Sequence, residues 1–242
     1  MKKAYLESVI DKYHLGGLVE RVKINVTDKI LTSKFISQQK NLVGVLYAPN
    51  VDLPDCEFGV YDTSQLLKLI GITNQFLTLG IESSGKITNK LLIADNEFNL
   101  EYSLADTMLT PAVPTINETP YELVANIDED FVVKFLKAKK AITTEVFTVK
   151  QISDVDKEPA LEFTLGGTES YTNKINFSIK LKTSTVPGPI IIFPIEEFSE
   201  ILASNKKFKT GELNISEEGL LKAEFEDEDG VKATYILVGK DN

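Results

Sequence analysis

Apolar residues recur along this chain with two different periods, and the order in which those periods alternate predicts its elements. Leu6, Val9, Ile10 and Tyr13 stand at i, i+3, i+4 and i+7, the spacing of one helical face, which predicts a helix over 3–13 ended by Gly16–Gly17. Short runs rich in Val, Ile, Leu and Phe then predict strands over 19–26, 29–36 and 41–48. Pro49 and Pro54 bracket a loop. Strand 57–61, helix 63–71 with Asp62 or Thr63 as its N-cap, and strands 75–81, 87–94 and 98–104 complete the first half. The second half repeats this order. Helix 128–140 is capped by Asp128 and carries Phe131, Val132, Phe135 and Leu136 as its stripe, and strands follow at 144–151, 158–165 and 174–182. Strand 189–193 leads into helix 195–204, with Pro194 near its first turn, and strands 208–215, 219–226 and 232–238 close the chain.

The two halves also match in register. GVYDTSQLLKLI (59–70) falls on IIFPIEEFSEIL (191–202) at an offset of 132, pairing Tyr61 with Phe193, Leu66 with Phe198 and Ile70 with Leu202. LEYSLA (100–105) falls on ATYILV (233–238) at an offset of 133, pairing Tyr102 with Tyr235 and Leu104 with Leu237. A nearly constant offset over that distance implies two copies of one domain. Between them, residues 106–120 hold three prolines and no periodicity, the pattern of an extended linker. The expectation is an α+β chain of two similar domains, 1–108 and 121–242, joined by a connector over 109–120, each with two helices packed on antiparallel sheets.

At 242 residues the chain suits one large domain or two of about 120. No apolar run approaches the ~20 residues of a membrane span, and Glu7 and Asp11 break any signal-peptide core at the N-terminus. Cys56 is the only cysteine, so a cytoplasmic location without an intrachain disulfide is the simplest expectation. The net charge of −10 by itself argues against a nucleic-acid binder. The charges are uneven, however. Acids crowd the last hairpins at Glu217, Glu218, Glu224, Glu226, Asp227, Glu228 and Asp229, whereas lysines collect around the helices.

Candidate catalytic chemistry is thin, and neither a cofactor nor a metal is expected. Gly80 to Lys86 fits G-x-x-x-x-G-K, but position 87 is Ile where a phosphate loop needs Ser or Thr, and the following residues alternate like a strand. A turn joining two strands explains it better. His14, the only histidine, excludes a histidine metal cluster within one chain and stands at a helix C-terminus, where a cation is mildly favoured. Asp55 and Glu57 flank Cys56 and would raise its thiol pKa. What remains is the lysine pattern. Lys134, Lys137 and Lys140 lie off the apolar stripe of helix 128–140, with Lys139 beside them. The first helix offers Lys2, Lys3 and Lys12, helix 63–71 offers Lys68, and Lys206, Lys207 and Lys209 follow the fourth helix, whose own polar side is acidic at Glu196, Glu197 and Glu200. Exposed helices of any protein carry lysines; four helices side by side would gather these into one basic surface, suited to phosphates without reading sequence.

FGVYDTSQLLKLIGI (58–72), NKLLIADNEFNLEYSLAD (89–106) with the proline connector after it, and GLLKAEFEDEDGVKATYILVG (219–239) carry a family likeness. The chain resembles the DNA polymerase sliding clamps, or processivity factors, of tailed bacteriophages, over most of its length. The resemblance implies a non-enzymatic ring of three chains whose helices line a hole around double-stranded DNA and whose sheets form the outside. The implied partners are the replicative DNA polymerase, a clamp loader and further copies of the chain, with no membrane, in the cytoplasm of an infected host. Lys3, Lys12, Lys68, Lys134, Lys137, Lys139, Lys140, Lys206 and Lys207 would face DNA, the acidic fourth helix being the departure. Leu109, Val113, Ile116 and Val238 would form an apolar pocket for partner tail peptides, or would merely pin the connector to the sheets. Leu100, Tyr102 and Leu104 of one chain would meet Ile175, Phe177 and Ile179 of the next. The alternative is a two-domain β-rich structural or binding module of a phage virion.

Overall fold

The computed structural model describes residues 1–85, 87–115, 119–152, 158–167, 172–182 and 188–240. Contacts divide the chain into two units: Met1–Pro114 with Asp229–Ala233, and Thr115–Glu228 with Thr234–Asn242.

In the first unit α1 (Lys3–His14) is followed by β1 (Val22–Thr27), β2 (Ile30–Ile36), β3 (Leu42–Ala48) and β4 (Cys56–Val60), which lie in the antiparallel order β4-β1-β2-β3. Strict alternation puts Val22, Ile24, Val26, Leu31, Phe35, Leu42 and Leu46 inside. Gly44 is a steric requirement: a Cβ there would collide with the ring of Phe35. Then come α2 (Thr63–Gly71) and a second sheet in the order β5 (Thr78–Ser84), β6 (Ile87–Ala94), β7 (Asn99–Ser103). Helices α1 and α2 pack side by side. The strand expected from 75 begins at 78, because residues 75–77 bond to the first residues of the chain: Lys3 N donates to Gln75 O at 2.9 Å and Leu77 N to Met1 O at 2.9 Å.

The second unit has the same plan. The sheet β12 (Ile191–Pro194), β9 (Val146–Ile152), β10 (Ala160–Gly166), β11 (Lys174–Lys180) matches β4-β1-β2-β3 strand for strand. The order β8 (Leu123–Asn126), β13 (Thr210–Ile215), β14 (Leu220–Glu226), β15 (Lys232–Val238) matches the sheet of β5, β6 and β7. Strand β8 was not expected from the sequence, since its four residues merge with the connector; in the first unit the short pairing of Met1–Lys3 takes its place. Helices α3 (Glu129–Ala141) and α4 (Ile195–Ser204) pack on one another. Their core is a cluster of phenylalanines: Phe135 lies with its ring centroid 4.9 Å from Phe198 and 5.1 Å from Phe147, both edge-on, and Phe163 stacks on Phe177 at 5.6 Å. The buried stripe of α3 is Phe131, Val132, Phe135 and Ala138, so Leu136 is only half-buried.

The repeat keeps the buried tyrosine but not its hydrogen bond. Tyr102 and Tyr235, matched at an offset of 133, are both buried, and each spends its hydroxyl near a helix terminus. Tyr102 Oη donates to Asp62 O at 2.9 Å and accepts from Asp62 N at 3.1 Å, beside the start of α2. Tyr235 Oη accepts from Asn205 Nδ2 at 2.8 Å, beside the end of α4.

Candidate nucleic-acid interface and connector groove

Among the lysines expected to face DNA, the structure separates free ammonium groups from committed ones. In the second unit Lys134, Lys137 and Lys140 are all exposed, on the side of α3 that carries no core residue. Their i, i+3 spacing makes neighbours of successive pairs, about 5–6 Å apart at Cβ. Asp128, whose carboxylate accepts from Phe131 N at 2.8 Å, fixes the start of the helix that presents them. Lys206 and Lys207 are exposed just past α4. Lys139 is different: it forms an ion pair with Glu196 of α4 at 2.6 Å, which neutralises one charge of the acidic helix.

The first unit corrects two expectations. Lys12 is only 3% exposed and belongs to the packed interior, so its ammonium is not presented to a ligand. Lys3 donates to Gly71 O at 2.7 Å and Thr73 O at 2.9 Å, so it caps the carbonyl end of α2, where a cation is favoured. Lys68 and Lys2 are exposed.

The expected subunit-interface strands are both last in their sheets, β7 after β6 and β11 after β10. Tyr102, however, is 2% exposed and stacks on Tyr61 at 5.6 Å, so its side chain is spent inside its own unit. Leu100, Leu104, Ile175, Phe177 and Ile179 are half-buried, Phe177 against Phe131 and Phe163. What these edges offer a partner is chiefly backbone.

Of the expected pocket residues, Leu109 is 70% exposed and Val113 half-buried on the connector, Val238 is exposed in the second unit, and Ile116 lies outside the described residues. The groove beside the connector is lined by other residues. It has a volume of about 1160 Å³ and runs between Pro111, Ala112 and Pro114 on one side and Val19, Glu20, Arg21, Ile36, Ser37, Gln38, Lys40, Tyr61 and Asp62 on the other. Sequence reasoning missed it, since its walls come from four separate stretches of chain. Two of its acids are consumed internally. Asp62 caps α2 through Gln65 N at 2.7 Å. Glu20 accepts from Ser64 N at 2.9 Å and from the Ser64 hydroxyl at 2.5 Å, with His14 Nε2 at 3.2 Å.

His14, Ser64 and Glu20 thus meet, but not as a nucleophilic triad. There a histidine takes the serine proton on one ring nitrogen and holds the acid with the other. Here both contacts fall on His14 Nε2, and the Ser64 proton points to the carboxylate. The cluster is a helix cap. Burial pushes the Glu20 carboxyl up, but the Ser64 hydroxyl, the Ser64 amide and His14 together outweigh it and hold it below the ordinary glutamate range. Because the folded value is the depressed one, the contribution to stability is complete above about pH 4.3 and is lost as pH falls through the folded value. Glu20→Gln should therefore cost about 1 kcal/mol at pH 7, a typical cap value. The gap between wild type and variant should narrow progressively as pH falls below about 4.3, as read by urea unfolding. A gap independent of pH would refute this role.

The phosphate-loop lookalike is a hairpin: β5 pairs with β6 around Gly85, which has φ +66°, and the strand after it leaves no helix to face a phosphate. Lys86 itself lies outside the described residues. Burial, with the Asp55 charge, pushes the Cys56 thiol up; the direction is the expected one, but Glu57 takes no part and pairs with Lys23 at 2.8 Å. No helix among the described residues is long and apolar enough to cross a membrane.

No protein-family model and no curated protein matches the chain. Solved structures do. A. fulgidus PCNA, in a structure with the C-terminal region of FEN-1 bound, superposes with a TM-score of 0.78 at 16% identity, covering 100% of this chain and 97% of that one. Proliferating cellular nuclear antigen from Entamoeba histolytica gives 0.76 at 15%, covering 100% and 97%. PCNA from Thermococcus kodakaraensis gives 0.76 at 15%, covering 99% and 98%. The fold is that of the PCNA-type sliding clamps, over the full length and in both units.

Proposed function

We propose that this chain is a sliding clamp: three copies close into a ring around duplex DNA and tether a replicative polymerase, in a tailed bacteriophage by the sequence resemblance. The observation that carries the reading is the full-length correspondence with the PCNA fold, 100% of this chain against 97% of A. fulgidus PCNA. The exposed lysines of α3 supply what such a ring needs, diffuse and sequence-independent attraction to phosphates. Tethering then acts by raising the local concentration of the polymerase, not by chemistry of its own, so no enzymatic activity is assigned. The groove beside the connector is the docking place for a partner's tail peptide.

Closure uses the free edges of β7 and β11, paired head to tail between neighbouring chains, since an unpaired edge is a template for another strand. Sedimentation at micromolar concentration should give a species of three 26.9 kDa chains, about 81 kDa. The same preparation should remain on nicked circular DNA after loading and slide off once the circle is cut. A protein that stays monomeric at all accessible concentrations, or is retained equally on linear and circular DNA, is not a closed clamp; the virion-module reading would then take its place.

A further inference from the structure

The connector groove is lined by two cations and two carboxylates, a balanced set on an otherwise acidic protein, and among the described residues only its cations are without partners. Of its charged residues, Glu20 and Asp62 have their carboxylates turned onto the first turn of α2. Arg21 and Lys40 also line it; both are exposed, and among the described residues neither has an ion-pair or hydrogen-bond partner for its cationic group. They are held by well-fixed backbone. Arg21 follows Glu20, whose carbonyl accepts from Thr63 N at 3.2 Å and from the Thr63 hydroxyl at 3.0 Å. Lys40 stands in a turn closed by Lys40 N on Ser37 O at 3.0 Å and docked through Gln38 N on Leu18 O at 3.2 Å. Between them the exposed face of Tyr61 and the prolines of the connector give an apolar floor. A protein with ten excess negative charges thus presents two unspent positive ones at a concave, partly apolar site.

From this we infer that the groove selects an extended segment in which an apolar or aromatic anchor is flanked by acidic side chains, the carboxylates meeting Arg21 and Lys40. This rests on the reading of the groove as a partner's docking site and adds the chemistry of the partner. Charge arrangements of this kind govern partner choice more than raw affinity. The inference runs against the general field of the molecule, which would enrich basic peptides, so bulk electrostatics cannot mimic it.

The test is selection of random dodecapeptides, displayed with their C-termini fused, on the full chain. Binders lost when Ala112→Trp fills the groove define the groove-directed set. That set is expected to be enriched in Asp and Glu around an apolar residue. Synthetic, C-terminally amidated members should lose affinity on the order of tenfold for the pair Arg21→Glu and Lys40→Glu. Selection on that variant should return basic peptides. The neutral pair Arg21→Gln and Lys40→Gln gives the same direction with a smaller loss, should charge reversal disturb folding. Groove-directed peptides that are neutral or basic, or affinities indifferent to both pairs, would overturn the inference while leaving the groove a docking site. If no selected peptide responds to Ala112→Trp, the docking reading falls and the inference with it.

Discussion

Replacing Lys134, Lys137 and Lys140 together by Glu is expected to abolish retention on circular duplex DNA and processive synthesis while leaving the fold and assembly intact. The three side chains are exposed, and the buried face of α3 at Phe131, Val132, Phe135 and Ala138 is untouched. Exposed charges contribute less than about 1 kcal/mol each to stability, so thermal unfolding should barely move. Binding is another matter. In the proposed ring of three chains the substitution would remove phosphate contacts on every protomer, and each lost contact flattens the dependence of log affinity on log salt by about 0.9. A ligand making six to ten such contacts loses on the order of 10³–10⁵ in affinity between 50 and 200 mM salt, so their removal and reversal is a large effect. The control changes Lys29, Lys34 and Lys150 to Glu; all are exposed, Lys34 and Lys150 on sheet faces that bear no helix. Equal retention by the two triple variants would mean that α3 does not line a DNA channel.

The elements were legible because their two periods are local. Helix 63–71, read with Asp62 or Thr63 as its N-cap, stands over Thr63–Gly71 in the structure with Asp62 as the cap. The repeat was legible too, because a constant offset survives divergence of the residues themselves. Strand β8 was lost because four residues beside a proline-rich connector carry too little alternation to stand out. The lysines show where local reading stops. A helical wheel places Lys3 on a polar side, but its ammonium is spent on carbonyls 68 and 70 residues away. Lys12 follows Val9 by one turn, and its burial is set by packing that no wheel contains. The groove was illegible for the same reason. Arg21, Lys40 and Tyr61 have nothing in common along the chain, and the carboxylate nearest Arg21 in sequence, Glu20, is spent on Ser64, 44 positions on.

The other large effect is in the second unit's core, where Phe135→Ala should cost about 3–5 kcal/mol, the range for removing a fully buried phenylalanine. Phe135 has no solvent exposure and touches the rings of Phe131, Phe147, Phe163, Phe177 and Phe198, with centroids from 4.9 to 6.4 Å. Rings held edge-on from several sides cannot all collapse into the space one of them leaves, so most of the cavity penalty should persist. Typical domains hold 5–15 kcal/mol in total, so the variant's second unit should be marginal at 37 °C. Phe177 ties this loss to assembly. It sits on β11, a strand bonded on one side only, and packing against Phe131, Phe135 and Phe163 is what holds its side chain. Loss of the Phe135 ring should therefore loosen the edge proposed to meet the next chain before it unfolds the unit. The expected record is a urea transition, followed by circular dichroism, that splits into two, the earlier step belonging to the second unit. Sedimentation should show the proposed trimer dissociating at urea concentrations below that step. Phe135→Leu, which keeps most of the volume, should restore both to near wild-type values. A loss below about 1 kcal/mol for the alanine variant would mean that the phenylalanine cluster is not the stabilising core of this unit.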